Sequence, residues 1–203
     1  LTSEFINIKY SKGLFFVIMR IIGGARRGTK LYTLEGLNTR PSLDRVKEAL
    51  FNILQNDIRD AYVLDLFSGS GALGIESLSR GAKFGVLCDK SNDAIRIIKK
   101  NLQKANLEEK AKVIKDDYIK ALHELAKENK FDIIFIDPPY AGDIAVKAVE
   151  NIIDLDLLSE DGIIILETDD EKRELKNLEK INVNVYDLRK YGRVKLIFLN
   201  RKG

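Results

Sequence analysis

Cysteine, histidine, tryptophan and proline are nearly absent from this chain, whose 203 residues include one cysteine, one histidine, three prolines and no tryptophan. The lone Cys88 excludes an intrachain disulfide and any zinc site built on several cysteines, and it suits a reducing compartment. The lone His123 excludes a histidine-rich metal centre and argues against a Ser-His-Asp relay, so no metal is expected. No apolar run approaches the ~18 residues that a membrane span requires. The stretch Leu14–Ile18, cut short by Arg20, is too brief for the core of a secretion signal. Repeats, low-complexity tracts and long linkers are missing too. What remains is 45% hydrophobic and 32% charged. A chain of this length buries about 70% of its unfolded surface without a metal or disulfide staple. The expectation is a compact, cytoplasmic, monomeric protein with no membrane contact.

The formal net charge is only +3, but it is unevenly placed. Residues 1–60 carry ten Lys or Arg against six Asp or Glu. Within 9–47 the count is nine basic residues (Lys9, Lys12, Arg20, Arg26, Arg27, Lys30, Arg40, Arg45, Lys47) against Glu35 and Asp44. Such a cluster draws a polyanionic partner from solution, or is simply a solvated face.

Met19 is the only methionine, and residues 1–18 are read as a leader or non-native extension. Residues 19–58 form a basic extension. There, glycines around Gly23-Gly24-Ala25-Arg26-Arg27-Gly28 separate two β-rich pieces, which predicts a hairpin with a mobile basic tip. Leu43, Val46, Leu50, Ile53 and Leu54 then mark an amphipathic helix, with Ser42 as its N-cap and Asp44 in its first turn. From residue 59 to 203 apolar strand-like runs (62–67, 84–88, 112–114, 132–136, 162–167) alternate with helical stretches (71–80, 91–105, 118–129, 143–155). That rhythm calls for a parallel sheet covered on both faces. After a charged helix at 170–178, segments 181–188 and 194–199 are joined so tightly that they must form an antiparallel hairpin at the sheet edge.

Asp65-Leu66-Phe67-Ser68-Gly69-Ser70-Gly71-Ala72-Leu73-Gly74 follows the first of these strands and opens a helix. Gly69, Gly71 and Gly74 match the dinucleotide fingerprint, and Asp89 ends the next strand, placed to accept both hydroxyls of a ribose. Asp65 chooses among nucleoside cofactors. A carboxylate there repels a pyrophosphate but suits the cationic S-adenosyl-L-methionine. Phe67, Ser68 and Tyr118 complete the candidate cofactor wall. Asp117 is preferred over Asp116 as the acceptor for an adenine amine, with a helix N-cap as its competing role.

Asp137-Pro138-Pro139-Tyr140 sits just past the fourth strand, on the crevice side. Consecutive prolines fix the backbone and remove two donors, leaving the Asp137 carboxylate and Pro138 carbonyl as acceptors. Accepting both hydrogens of a nucleobase amine localises its lone pair and aims it at a sulfonium methyl, while Tyr140 stacks on the base. The work is orientation and electrostatics, and no strong general base is needed. Cys88 reads as a small core residue and His123 as a surface or packing residue.

The segments 19–31, 39–54 and 64–74, together with 137–140, resemble the RsmD-type bacterial 16S ribosomal RNA guanine-N2 methyltransferases from Met19 to about Asn200. The resemblance implies a class I methyltransferase fold, Rossmann-like, with a seven-stranded mostly parallel sheet ending in an antiparallel hairpin. It also implies S-adenosyl-L-methionine as donor and a guanine of small-subunit 16S rRNA as target, presented in an assembling particle. On matching positions Asp137, Pro138 and Tyr140 are catalytic, while Asp65, Gly69, Gly71, Asp89 and Asp117 line the donor pocket. Arg26, Arg27, Lys30, Arg40 and Arg45 are candidates for RNA phosphate. A DNA adenine-N6 methyltransferase, a nicotinamide oxidoreductase and a non-catalytic rRNA-binding assembly factor are the competing readings.

Overall fold

The computed structural model describes residues 17–33, 41–128, 130–139 and 143–202, with no side chains described for 17, 18 and 41–43. Seven strands form the central sheet: β3 (Tyr62–Asp65), β4 (Phe84–Asp89), β5 (Ala111–Lys115), β6 (Phe131–Ile136), β7 (Leu158–Thr168), β8 (Val183–Tyr191) and β9 (Val194–Arg201). Their order is β5-β4-β3-β6-β7-β9-β8. The first five are parallel, and β9 enters antiparallel between β7 and the edge strand β8. The expected seven-stranded sheet with a terminal hairpin is therefore present.

Because successive residues of a strand point to opposite faces, each strand feeds two cores. Leu64, Ile134, Ile136 and Leu166 pack under α4 (Tyr118–Leu125) and α5 (Ile144–Asp154) through Leu122, Leu125, Val149 and Ile152. Val63, Ile133, Phe135, Ile165 and Phe198 face the other way, against α1 (Pro41–Ile53), α2 (Ala72–Ser79) and α3 (Asn92–Ala105), through Phe51, Ile75 and Ile98. The N-terminal helix α1 thus shares a core with the sheet. The charged helix α6 (Glu171–Leu178) follows β7. Cys88 is fully buried in the first of these cores, and burial pushes its thiol pKa up, while His123 is exposed. Both match their sequence reading.

Two expectations are corrected. Helix α1 starts at Pro41, so Ser42 lies inside its first turn and is not the N-cap. A proline suits the first helical position because its missing N–H would have no helical acceptor there. The hairpin of β1 (Val17–Arg20) and β2 (Lys30–Tyr32) exists, but its tip is docked, not mobile. Glu76 of α2, with no exposed surface, accepts the N–H groups of Ile22 and Gly23, each at 2.8 Å. The same carboxylate takes Arg80 Nε at 2.8 Å and Lys47 Nζ at 3.2 Å. Ser79 Oγ accepts from Arg26 N at 3.0 Å and donates to Gly23 O at 2.6 Å. Gly24 lies so close to the end of α2 that a Cβ would sit 1.9 Å from Ser79 O, and its φ of +74° also demands glycine.

Candidate active site

Strands β3 and β6 are parallel neighbours, with Asp65 opposite Phe135, and Leu66 N donates to Phe135 O at 3.1 Å. The glycine loop after β3 and the proline corner after β6 therefore leave the same edge of the sheet side by side. That edge, beyond the carboxyl ends of the strands, is where open α/β sheets bind ligands.

The loop is held by carboxylates. Asp65 is buried and accepts Gly74 N at 3.0 Å. Asp89 accepts Gly69 N at 2.9 Å through one oxygen and Ser91 N at 2.8 Å through the other. Ser68 N donates to Cys88 O, and Gly71 N to Ser68 O. A pyrophosphate needs free loop amides, and here four are committed, two of them to anions. A cation suits this donor set. Carboxylate oxygens carry further lone pairs, so Asp89 can still accept from a ribose. Gly71, at φ +80°, takes the left-handed turn that lets α2 begin. The Ser68 hydroxyl donates to Asp65 O at 2.7 Å, which braces the loop.

Asp117 caps α4, its Oδ1 accepting Ile119 N at 3.0 Å, so the cap role is real; its side chain is exposed at the crevice end of β5. Phe67 and Tyr118 meet there, ring centroids 5.3 Å apart, giving an apolar wall for a heterocycle.

Asp137 opens to solvent while protein surrounds it more widely, and Pro138 is buried. Desolvation first, then the Glu167 and Asp65 carboxylates, raise the Asp137 pKa well above its usual range. Tyr140 lies outside the described residues. Glu167, half-buried at the end of β7, is a neighbour that sequence reasoning missed. So is Asn101 of α3, with no exposed surface. Its Oδ1 accepts Tyr32 N at 2.7 Å, and its Nδ2 donates to the Tyr32 and Ser70 carbonyls at 2.9 Å each, tying β2 to the glycine loop.

Arg26, Arg27, Lys30 and Arg45 are exposed, as phosphate contacts require; Arg40 lies outside the described residues. Lys47 is not part of that surface, being buried against Glu76 and Arg20 O. Arg26 and Arg27 sit at the C-terminal end of α2, whose N-terminus is the glycine loop. Eight residues of helix put the tip roughly 12 Å from that loop.

Burial, offset in part by the Gly74 N–H, raises Asp65 from 3.8 to about 6. The folded state then holds more protons than the unfolded chain between those values, so this group makes stability fall as pH rises from about 4 to about 6. Two units correspond to about 3 kcal/mol. Urea unfolding from pH 4 to 7 is expected to show that decline in the native chain and a flatter profile in Asp65→Asn. Identical profiles would place the Asp65 charge elsewhere.

The family model described as Conserved hypothetical protein 95 matches residues 19–200. The YlbH protein of Bacillus subtilis is 43% identical over 155 residues, covering 75% of this chain and 84% of that one. The ribosomal RNA small subunit methyltransferase D of Haemophilus influenzae is 37% identical over 155 residues, covering 76% of this chain and 80% of its own length. The solved structure of the yhhF protein of Escherichia coli superposes with a TM-score of 0.79 at 33% identity, covering 91% of this chain and 98% of that one.

Proposed function

Because the chain belongs to the RsmD-type family of ribosomal RNA small-subunit methyltransferases, we propose that it methylates the exocyclic N2 amine of a guanine in 16S rRNA, using S-adenosyl-L-methionine as donor. The observation that carries this reading is the pairing of a carboxylate-held glycine loop with an acceptor-only proline corner on adjacent parallel strands.

When bound, the donor supplies an electrophilic methyl on a sulfonium, and the N–C bond forms as the S–C bond breaks, its electron pair staying on sulfur. Asp65 and Asp89 supply the negative field that holds a cation beside the loop. Phe67 and Tyr118 pack on its adenine, with the Asp117 carboxylate and Tyr118 N–H on the adenine edge. The Asp137 carboxylate and Pro138 carbonyl accept the two amine hydrogens, and that turns the nitrogen lone pair toward the methyl. Once methylated the amine is acidic, and its surplus proton passes through Asp137 to water. Tyr140 covers the base, which must leave its stack to enter the crevice. Arg26, Arg27, Lys30, Arg40 and Arg45 contact phosphates of the surrounding RNA, in the cytoplasm and on a partly assembled small subunit. Among the described residues no helix is long and apolar enough to cross a membrane.

The test uses S-adenosylmethionine with a labelled methyl group and undermethylated small-subunit rRNA, with duplex DNA in parallel. The expected product after digestion is N2-methylguanosine from the RNA and nothing from the DNA. Label in N6-methyladenine would overturn the guanine reading.

A further inference from the structure

The third carboxylate of the crevice has no role in the transfer described above. Glu167 is the penultimate residue of β7, and β6 and β7 run parallel with Ile136 opposite Leu166. One step further along each strand come Asp137 and Glu167. Ile136 and Leu166 point into the core under α4 and α5. Alternation sends Asp137 and Glu167 to the opposite face, the one that carries Phe135, Ile165 and Phe198. Asp65, in register with Phe135 one strand over, is on that same face. Three neighbouring parallel strands thus deliver three carboxylates to one side of one edge. The Glu167 and Asp65 charges both act on Asp137. Among the described residues no group of three or more Asp, Glu, His or Cys has the arrangement of a metal site.

Among the described residues the polar groups gathered at this edge are acceptors, which suit a ligand edge made of donors. The bases that carry an exocyclic amine differ in this respect. Guanine presents N1–H on one side of its N2 amine, two adjacent donors, with the N3 lone pair on the other side. Adenine presents the N1 lone pair beside N6, and cytosine the N3 lone pair beside N4. The contrast lies on the N1 side of the guanine amine, where adenine and cytosine offer a lone pair and guanine an N–H. Of the two strands beside β6, β3 carries the donor loop, so a base held by Asp137 and Pro138 is read on the β7 side, with its N1 edge toward Glu167.

We infer that Glu167 is a specificity-determining residue, its carboxylate accepting the N1–H of the target guanine while Asp137 and the Pro138 carbonyl hold the N2 amine. This rests on the guanine-N2 reading given above. A ring nitrogen bearing a lone pair meets the Glu167 carboxylate acceptor to acceptor, so adenine and cytosine are rejected by repulsion and by an unsatisfied partner. Sites that hydrogen-bond a particular substrate N–H discriminate far more strongly than sites that only match shape.

2-Aminopurine provides the probe, since it keeps the N2 amine of guanine and replaces N1–H by a lone pair and the 6-carbonyl by C–H, and the Glu167 variants isolate the N1 contribution. Synthetic 16S rRNA segments are prepared with guanine or 2-aminopurine at the methylated position, mapped first with the native enzyme. For the native chain kcat/KM is expected to favour guanine by about 100-fold or more. Glu167→Gln offers an amide N–H to the ring lone pair and should shrink that ratio by about tenfold or more, by slowing guanine and speeding 2-aminopurine. Glu167→Ala removes the repulsion without adding a donor and should shrink it less. Calorimetry with S-adenosylhomocysteine is expected to give the native affinity in both variants, which shows that the pocket is intact. A ratio that stays at the native value in both variants would overturn the assignment, because a merely structural role slows the two substrates alike. A native enzyme that leaves guanine unmethylated in the mapping step would instead overturn the guanine reading, and this inference with it.

Discussion

Asp137→Ala is expected to lower methyl transfer by about 10²–10³-fold while the affinity for S-adenosylhomocysteine stays within a few-fold of native. The magnitude is that of removing one preorganised hydrogen-bonding group from a site where charge develops in the transition state. Asp137 belongs to the proline corner after β6, and the glycine loop belongs to β3, so the two halves of the crevice lose function separately. In the native chain the carboxylate starts at a cost, because desolvation and the Glu167 and Asp65 charges raise its pKa. Ionised Asp137 is the form that accepts amine hydrogens, so kcat/KM should climb with pH as it deprotonates. Asp137→Asn, which cannot titrate, should lose that limb. Single-turnover transfer and calorimetry, measured on the same preparations, check both statements. Near-native turnover in Asp137→Ala would remove the residue from the chemistry.

Glu76→Ala carries the largest expected effect on stability. The carboxylate is wholly buried between Lys47 and Arg80 and accepts two backbone N–H groups of the hairpin tip. Removing one member of a buried charged network leaves the others uncompensated, at a cost of about 3–5 kcal/mol. In a domain of this size that is a fall of roughly 10 °C in Tm. The loss should also be local. Freed from Glu76, the segment Ile22–Gly23 becomes protease-sensitive and its amides exchange faster, while α4 and α5 on the far face of the sheet stay protected. Calorimetry and hydrogen exchange read both effects. A Tm within 2 °C or so of native would show that the hairpin is held by Ser79 and apolar packing alone.

The sheet was legible because its inner strands carry long apolar runs, as Ile133–Ile136 shows, and each ends at a chemically loaded turn. Asp65, Asp89, Asp137 and the glycines were found at those turns, where spacing and residue type carry the information. The rest depended on partners far away in sequence. Glu76 reads as one more charge on a helix, and Lys47 as one more surface cation. Only the fold places each against the other and against Ile22 and Gly23. Ser68 was legible as a residue of the loop, but the hydrogen bond of its hydroxyl to the Asp65 carbonyl was not. Glu167 is a single letter ending an apolar run, and its meaning comes from the β6–β7 register. Helix α4 stops at Leu125, short of the expected 129: after Leu125 the sequence Ala126-Lys127-Glu128 still favours helix but has no apolar side chain left to bury.

The anchored hairpin tip has a consequence for the footprint of the polynucleotide. Its arginines are fixed roughly 12 Å down α2 from the glycine loop. A strand bound as proposed would have to run on by several nucleotides beyond the extruded base to reach them. If the arginines hold phosphate as proposed, a free nucleoside or a dinucleotide is too short to engage Arg27 and is expected to be a poorer substrate than a longer strand.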